Sequence, residues 1–307
     1  MARKLYKYLG RELAGIALTN EGASLKFSMP RDFNDPFELF LTVDHSSPPG
    51  TLAFYEEVMG ELEQMPTTCF SSNPDVVPMW AHYGQNGEGF VIEVDEDVLR
   101  AELPDDSAIQ DVTYRDSPPD ELAGSLGRAQ FRQKFRDIYF LRNSVYRAAY
   151  FTKATCWSYE KERRLVLNDA TKLLQLGGAS ILQIPRQCVT AVILGSNVDA
   201  DTESKLRSYA AEIGCEVYKC SIGRSNVTPY FIDSDGSTCV FADGAISEAK
   251  HVCQACGEPL EKDNHCSWCR IEEADRHTAA ASNSWRQLDA YGLLENYIDS
   301  MNSVGKR

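Results

Sequence analysis

Short apolar runs, punctuated by turn residues, dominate the first part of the chain. Residues 5–9, Leu-Tyr-Lys-Tyr-Leu, read as a strand. A helix-like segment follows over about 11–18, then a second strand over 25–29 that Pro30 stops. Residues 51–64 read as a short helix, and 67–71 and 90–94 as strands. A long amphipathic helix is predicted from about 120 to 150, and a strand over 155–167. A β-α-β unit closes this region, with strands at 181–184, 191–195 and 216–220 and a helix over about 200–212. A hairpin pairs 229–232 with 238–241 around Asp235-Gly236. Past an Ala/Ser-rich stretch at 271–284, Trp285, Leu288, Tyr291, Leu294, Ile298 and Met301 recur at helical spacing. That stripe predicts a terminal helix docked on the chain's own core, or else a partner contact.

The pattern is that of an α+β protein: a main domain over 1–233, a linker or hairpin over 234–250, a cysteine module over 251–272, and a linker with a terminal helix over 273–307. The formal charge of -14 argues against non-specific affinity for nucleic acid or an anionic membrane. Arg128, Arg132, Lys134, Arg136 and Arg142 nevertheless cluster on one segment. No apolar run is long enough for a membrane span, and no apolar stretch backs the first charges, so a cytoplasmic protein without a membrane partner is expected.

Cysteine spacing narrows the chemistry further. Cys253-x-x-Cys256 and Cys266-x-x-Cys269 are two knuckles that can present four thiolates to one tetrahedral zinc, with Gly257 supplying turn freedom. Two disulfides or a redox pair are the alternatives, disfavoured by the missing export signal and strand–helix context. Four thiolates leave no open position, so this zinc is expected to be structural. His251 and His265 flank the set without being needed by it. The remaining cysteines, 69, 156, 188, 215, 220 and 239, read as small buried hydrophobes.

Catalytic potential concentrates in Trp157-Ser-Tyr-Glu-Lys-Glu-Arg-Arg164. On an extended strand Glu160 and Glu162 share one face with Arg164, about 7 Å apart at their Cα atoms. Paired acids beside an arginine suit stabilisation of a developing positive charge, or a salt-bridged strand end at the rim of a sheet. Asn34 and Asp35 can hold a ribose or amide, or cap a turn. Trp80, His82 and Tyr83 precede a glycine-rich loop, 84–89, that has neither Rossmann nor P-loop spacing. A lone histidine among aromatics is also an ordinary structural residue. No nucleophile elbow or catalytic zinc motif is present.

The order Leu5-Tyr-Lys-Tyr, Phe33-Asn-Asp-Pro-Phe-Glu38, Cys69-Phe-Ser, Met79-Trp-Ala-His-Tyr83 with Gly89, then Trp157-Ser-Tyr-Glu-Lys-Glu162 and Arg164 resembles a bacterial domain-of-unknown-function family, number 2971, over about residues 5–232. Members are often met near phage-defence or mobile genes; they commonly carry an aromatic where this chain has Arg163, and lack the cysteine module. The succession of strand, helix, strand and late acidic strand also resembles the split-sheet layout of ADP-ribosyltransferases. That resemblance implies an NAD-consuming enzyme, such as a toxin or defence effector, with a protein or nucleic acid as acceptor. It makes Glu162 the key acid and Glu160 its helper, with Ser28 on the nicotinamide ribose and Trp80, His82 and Tyr83 at the base. Lys7 or Tyr8 stands where that family has an arginine or histidine. The competing readings are a non-catalytic ligand- or partner-binding module and a metal-independent nucleotide or glycosidic hydrolase using the same acids.

Overall fold

A computed structural model describes residues 3–304. One compact unit runs to Glu248 and a second begins at Ala249. The strand Lys4–Leu9 lies inside the first and is buried on both faces. Leu5 and Leu9 face one apolar cluster with Leu25, Phe70, Ile92, Leu165 and Val192. Tyr6 and Tyr8 face another with Trp80, Val91, Ile193 and Phe231. Each such aliphatic or aromatic side chain contributes roughly 2 kcal/mol by leaving water.

The strand sits within a ten-stranded mixed sheet. To one side follow Phe90–Asp95, Val189–Leu194, Glu216–Ser221, Tyr230–Ile232, Thr238–Ala242 and Ala245–Glu248. To the other lie Thr67–Ser71, Glu162–Val166 and Ala108–Asp111. Its one parallel pair, Val189–Leu194 with Glu216–Ser221, is crossed over by helix Ala200–Ile213, as the β-α-β pattern requires. The expected hairpin forms around Gly236. A second turn at Asp243-Gly244, both at positive φ, extends the sheet to Glu248, so residues 238–248 are part of the sheet edge.

A smaller four-stranded sheet contains Gly22–Phe27 and Ala179–Pro185, so the first strand of the expected β-α-β unit lies in this other sheet. The segment after Gly10 is only a 3-10 turn, Arg11–Leu13, before the short strand Leu18–Thr19. The long helix predicted over 120–150 is two helices, Asp120–Arg132 and Phe135–Phe151. Gln133 adopts left-handed geometry at the break, and Leu122, Leu126 and Ala129 of the first helix join Leu141, Val145 and Ala148 of the second in one cluster. Folding back buries both apolar stripes, which a straight helix could not do.

The glycine-rich loop is a packing device. A side chain on Gly89 would stand 2.1 Å from the Leu9 carbonyl oxygen, and one on Gly195 equally close to that of Gly87. The Gly195 and Asn197 amides donate to the Gly89 and Gly87 carbonyls, stapling the loop to the next strand end.

The second unit carries a small hairpin, His251–Val252 with Pro259–Leu260, followed by helices Glu273–Ser282, Ser284–Ala290 and Leu294–Ser303. The Ala/Ser-rich stretch is thus helical, and the continuous terminal helix is interrupted at Gly292, at positive φ. Trp285, Tyr291 and Met301 are exposed. Among the described residues no helix is long and apolar enough to cross a membrane.

Candidate functional site

The sheet forks at Thr67–Ser71. Its ladder to the opening strand has one pair, Tyr6 opposite Ser71. At its other end Thr67 pairs with Ser28, an extension of the small sheet's strand. Lys7 spans the split, donating from Nζ to the Thr68 hydroxyl (2.9 Å) and the Cys69 carbonyl (2.8 Å).

A cleft of about 350 Å³ opens in this fork. One prong contributes Tyr6, Lys7 and Tyr8, the other Lys26 and Ser28, and the floor Cys69, Ser71 and Glu162. Phe33, Asn34, Tyr83, Lys153 and Glu160 complete the wall. Seven residues singled out from sequence therefore meet here: Lys7, Tyr8, Ser28, Asn34, Tyr83, Glu160 and Glu162.

The acidic segment differs locally from an extended strand. Thr155–Glu160 is a 3-10 turn, Lys161 has φ 48°, and the strand begins at Glu162. The alternation holds from there onward: Arg164 shares the face of Glu162, while Arg163 turns away to Glu96 (Nε to Oε2 2.6 Å) and Asp111. Both acids still reach the cleft because Lys153 draws them together, 2.7 Å from Glu160 Oε2 and 3.4 Å from Glu162 Oε2.

Beneath the cleft lies a buried ion cluster. Arg164, fully buried, donates from Nε to Glu162 Oε1 at 2.6 Å and forks onto Glu38 at 2.9 and 2.7 Å. It also donates to Glu162 Oε2 at 3.1 Å and to the Tyr150 carbonyl at 3.0 Å, and the Phe33 ring lies over the guanidinium. Three carboxylates, Glu38, Glu160 and Glu162, thus meet two cations, Lys153 and Arg164.

The two acids of the pair are driven apart. Burial opposes ionisation of Glu162, but Arg164 and then Lys153 outweigh it, and its pKa is held at about 2. Burial dominates at Glu160 and raises its pKa despite Lys153. Glu38 is likewise raised by burial against the pull of Arg164. Tyr83 donates to Glu160 Oε1 at 2.7 Å, and burial together with that carboxylate pushes its own pKa up. Burial lowers the pKa of Lys7.

Other expected site residues lie outside the cleft wall. Trp80 packs edge-on against Tyr8 and donates to the Pro74 carbonyl, a supporting role behind the prong. His82 is exposed, its ring 6.0 Å from that of Tyr159. Asp35 is buried and accepts from the Phe37 amide, the turn-capping role. Arg164 acts from beneath. Lys153 and Glu38 went unassigned in the sequence: Glu38 ends the Asn-Asp-Pro motif and is placed by its turn, whereas Lys153 depends on where the helix Phe135–Phe151 ends.

Cys253, Cys256, Cys266 and Cys269 bring their sulfurs within 4.8 Å of one another, close enough to ligate one metal ion such as zinc. The Cys266 and Cys269 amides lie 3.4 Å from the Cys253 and Cys266 sulfurs, and Gly257 has φ 78°. Amide donors, the Cys266 amide foremost, hold the Cys253 thiol below its ordinary pKa, whereas hydrogen bonding with the Cys266 thiol pushes that of Cys269 up. Of the other cysteines, Cys188, Cys220 and Cys239 are buried as expected, but Cys156 is exposed and Cys69 lines the cleft.

No curated protein and no solved structure matches the chain. Residues 79–165, which include Tyr83, Lys153, Glu160, Glu162 and Arg164 but neither prong of the fork, match the model of the family described as Protein of unknown function (DUF2971).

Proposed function

We propose that the fork cleft binds NAD or a closely related nucleotide and transfers its ADP-ribosyl group to an acceptor, in the manner of an ADP-ribosyltransferase. The observation that supports this best is the divergence of two neighbouring acids lining one cleft. Glu162 is held ionised, whereas Glu160 is poised to exchange a proton. As the bond from C1′ to the nicotinamide nitrogen breaks, its electron pair leaves with nicotinamide and the sugar becomes an oxocarbenium ion. The fixed charge of Glu162 stabilises that cation more than the ground state, which is what accelerates the step. The acceptor then bonds to C1′ and its proton passes to Glu160, which Tyr83 and Lys153 orient. Lys7 and Lys26 face the diphosphate, and Ser28 and Asn34 the ribose. A cleft of this volume falls at the lower end of ligand pockets and suits the nicotinamide–ribose half. The four-cysteine cluster holds a structural zinc, which folds the second unit and takes no part in the chemistry.

A second reading, a non-catalytic nucleotide receptor, is favoured by one feature: both oxygens of Glu162 are already engaged by Arg164 and Lys153. Titration of the full chain with NAD by calorimetry, alongside chromatographic assay for released nicotinamide with candidate acceptors supplied, separates the two. Transfer predicts product that disappears in Glu162→Gln while NAD binding persists. Binding without any product supports the receptor.

A further inference from the structure

The break between helices Asp120–Arg132 and Phe135–Phe151 displays an unusual surface. Phe131 and Phe135 flank the turn at 90% and 82% exposure, and Tyr139, one helical turn on, is 52% exposed. Leaving such rings in water on helices that already bury Leu122, Leu126, Leu141 and Val145 has no role in the core. Arg128, Arg132, Lys134 and Arg136 are exposed between and beside the rings, and no acid occurs from 122 to 136. Arg132 has only a 3.9 Å approach to Asp137. Arg142 belongs to the interior instead, donating to the Val58 carbonyl.

We propose that this helical-hairpin tip binds single-stranded nucleic acid, its cations meeting phosphates and its rings stacking unpaired bases. Cations and aromatics interleave along the segment, Phe131 beside Arg132 and Phe135 beside Arg136, which matches the alternation of charge and π-face along a strand. A bilayer-inserting helix would segregate them onto opposite faces. A second copy of the chain would bring like charges together. Paired bases offer no free face to the rings, hence the preference for single strands. Asp137 is the acid that approaches this surface, 3.9 Å from Arg132, and repulsion by acids farther than about 8 Å away is largely screened at physiological salt. This surface stands apart from the fork cleft and does not depend on the chemistry proposed for it.

Fluorescence anisotropy of a labelled twenty-nucleotide oligo-dT with the full, zinc-loaded chain tests the proposal. With four phosphates neutralised, affinity should fall about fifty-fold between 50 and 200 mM salt. The combined change Arg128→Gln, Arg132→Gln, Lys134→Gln and Arg136→Gln should flatten that dependence. Phe131→Ala and Phe135→Ala should each weaken binding roughly tenfold or more while leaving the thermal melt unchanged. No binding at 50 mM salt overturns the proposal. So does binding that the four-charge variant leaves intact, or capture by phosphatidylserine vesicles in place of the oligonucleotide.

Discussion

Replacing Arg164 with Met removes the fully buried guanidinium that pairs with both Glu38 and Glu162. Holding Glu162 at about 2 against an ordinary 4.5 corresponds to about 3 kcal/mol of stability at neutral pH. Removing one partner from such a buried cluster costs about 3–5 kcal/mol, because a charge remains without compensation. The first figure is shared between Arg164 and Lys153, so the loss at pH 7 should fall near the lower end of that range. The pH dependence is diagnostic. In the native chain the folded pKa of Glu162 is depressed, so its contribution is complete above about 4.5 and disappears as pH falls through about 2. In Arg164→Met burial prevails, both acids gain protons more readily on folding, and the deficit against the native chain should shrink from pH 7 to pH 5. Urea titrations of the full chain, followed by circular dichroism at several pH values, measure this directly. Adding Glu162→Gln and Glu38→Gln should restore more than half of the lost stability. A deficit below about 1 kcal/mol at pH 7, or one that widens on acidification, would refute the picture of a buried, mutually neutralised cluster.

Other outcomes follow from the same geometry. If Glu160 takes the acceptor's proton it must be ionised, and because burial raises its pKa the acidic limb of the rate profile should lie above that of an exposed glutamate. Tyr83→Phe removes a hydrogen bond that favours the Glu160 anion, so a pH–rate series should show that limb moving to still higher pH. Elemental analysis should find one zinc per chain, and Cys266→Ser should release it with loss of structure in the second unit but unchanged melting of the first. Gly89→Ala should lower the melting temperature by several degrees or abolish folding, since its side chain would meet the Leu9 carbonyl.

Features governed by local periodicity were legible in the sequence. Lys4–Leu9, Thr67–Ser71 and Phe90–Asp95 lie where alternation and punctuation put them, within a residue or two. The cysteine cluster followed from spacing, because a knuckle is a local object. The convergence of Lys7, Ser28 and Glu162 on one cleft also emerged, since strand order brings them together once the sheet forks. Other features needed tertiary knowledge. Periodicity continues smoothly through Gln133, and only packing against the second helix selects the break there. The left-handed Lys161 between Glu160 and Glu162 is invisible in an uninterrupted polar run. Lys153 joins the site through the end point of a helix, a boundary that sequence sets loosely. Arg164 was visible beside the acids, but its full burial depended on Glu38, 126 residues away.

The central claim is that the fork cleft breaks the glycosidic bond of NAD with Glu162 as the stabilising charge. Mass-spectrometric counting of free nicotinamide over time, for the native chain and for Glu162→Gln verified as folded, tests it most directly. Nicotinamide released beyond one equivalent per native chain, and at background with the variant, is the predicted result. Equal release by both proteins, or none by either across neutral pH with candidate acceptors supplied, would contradict it.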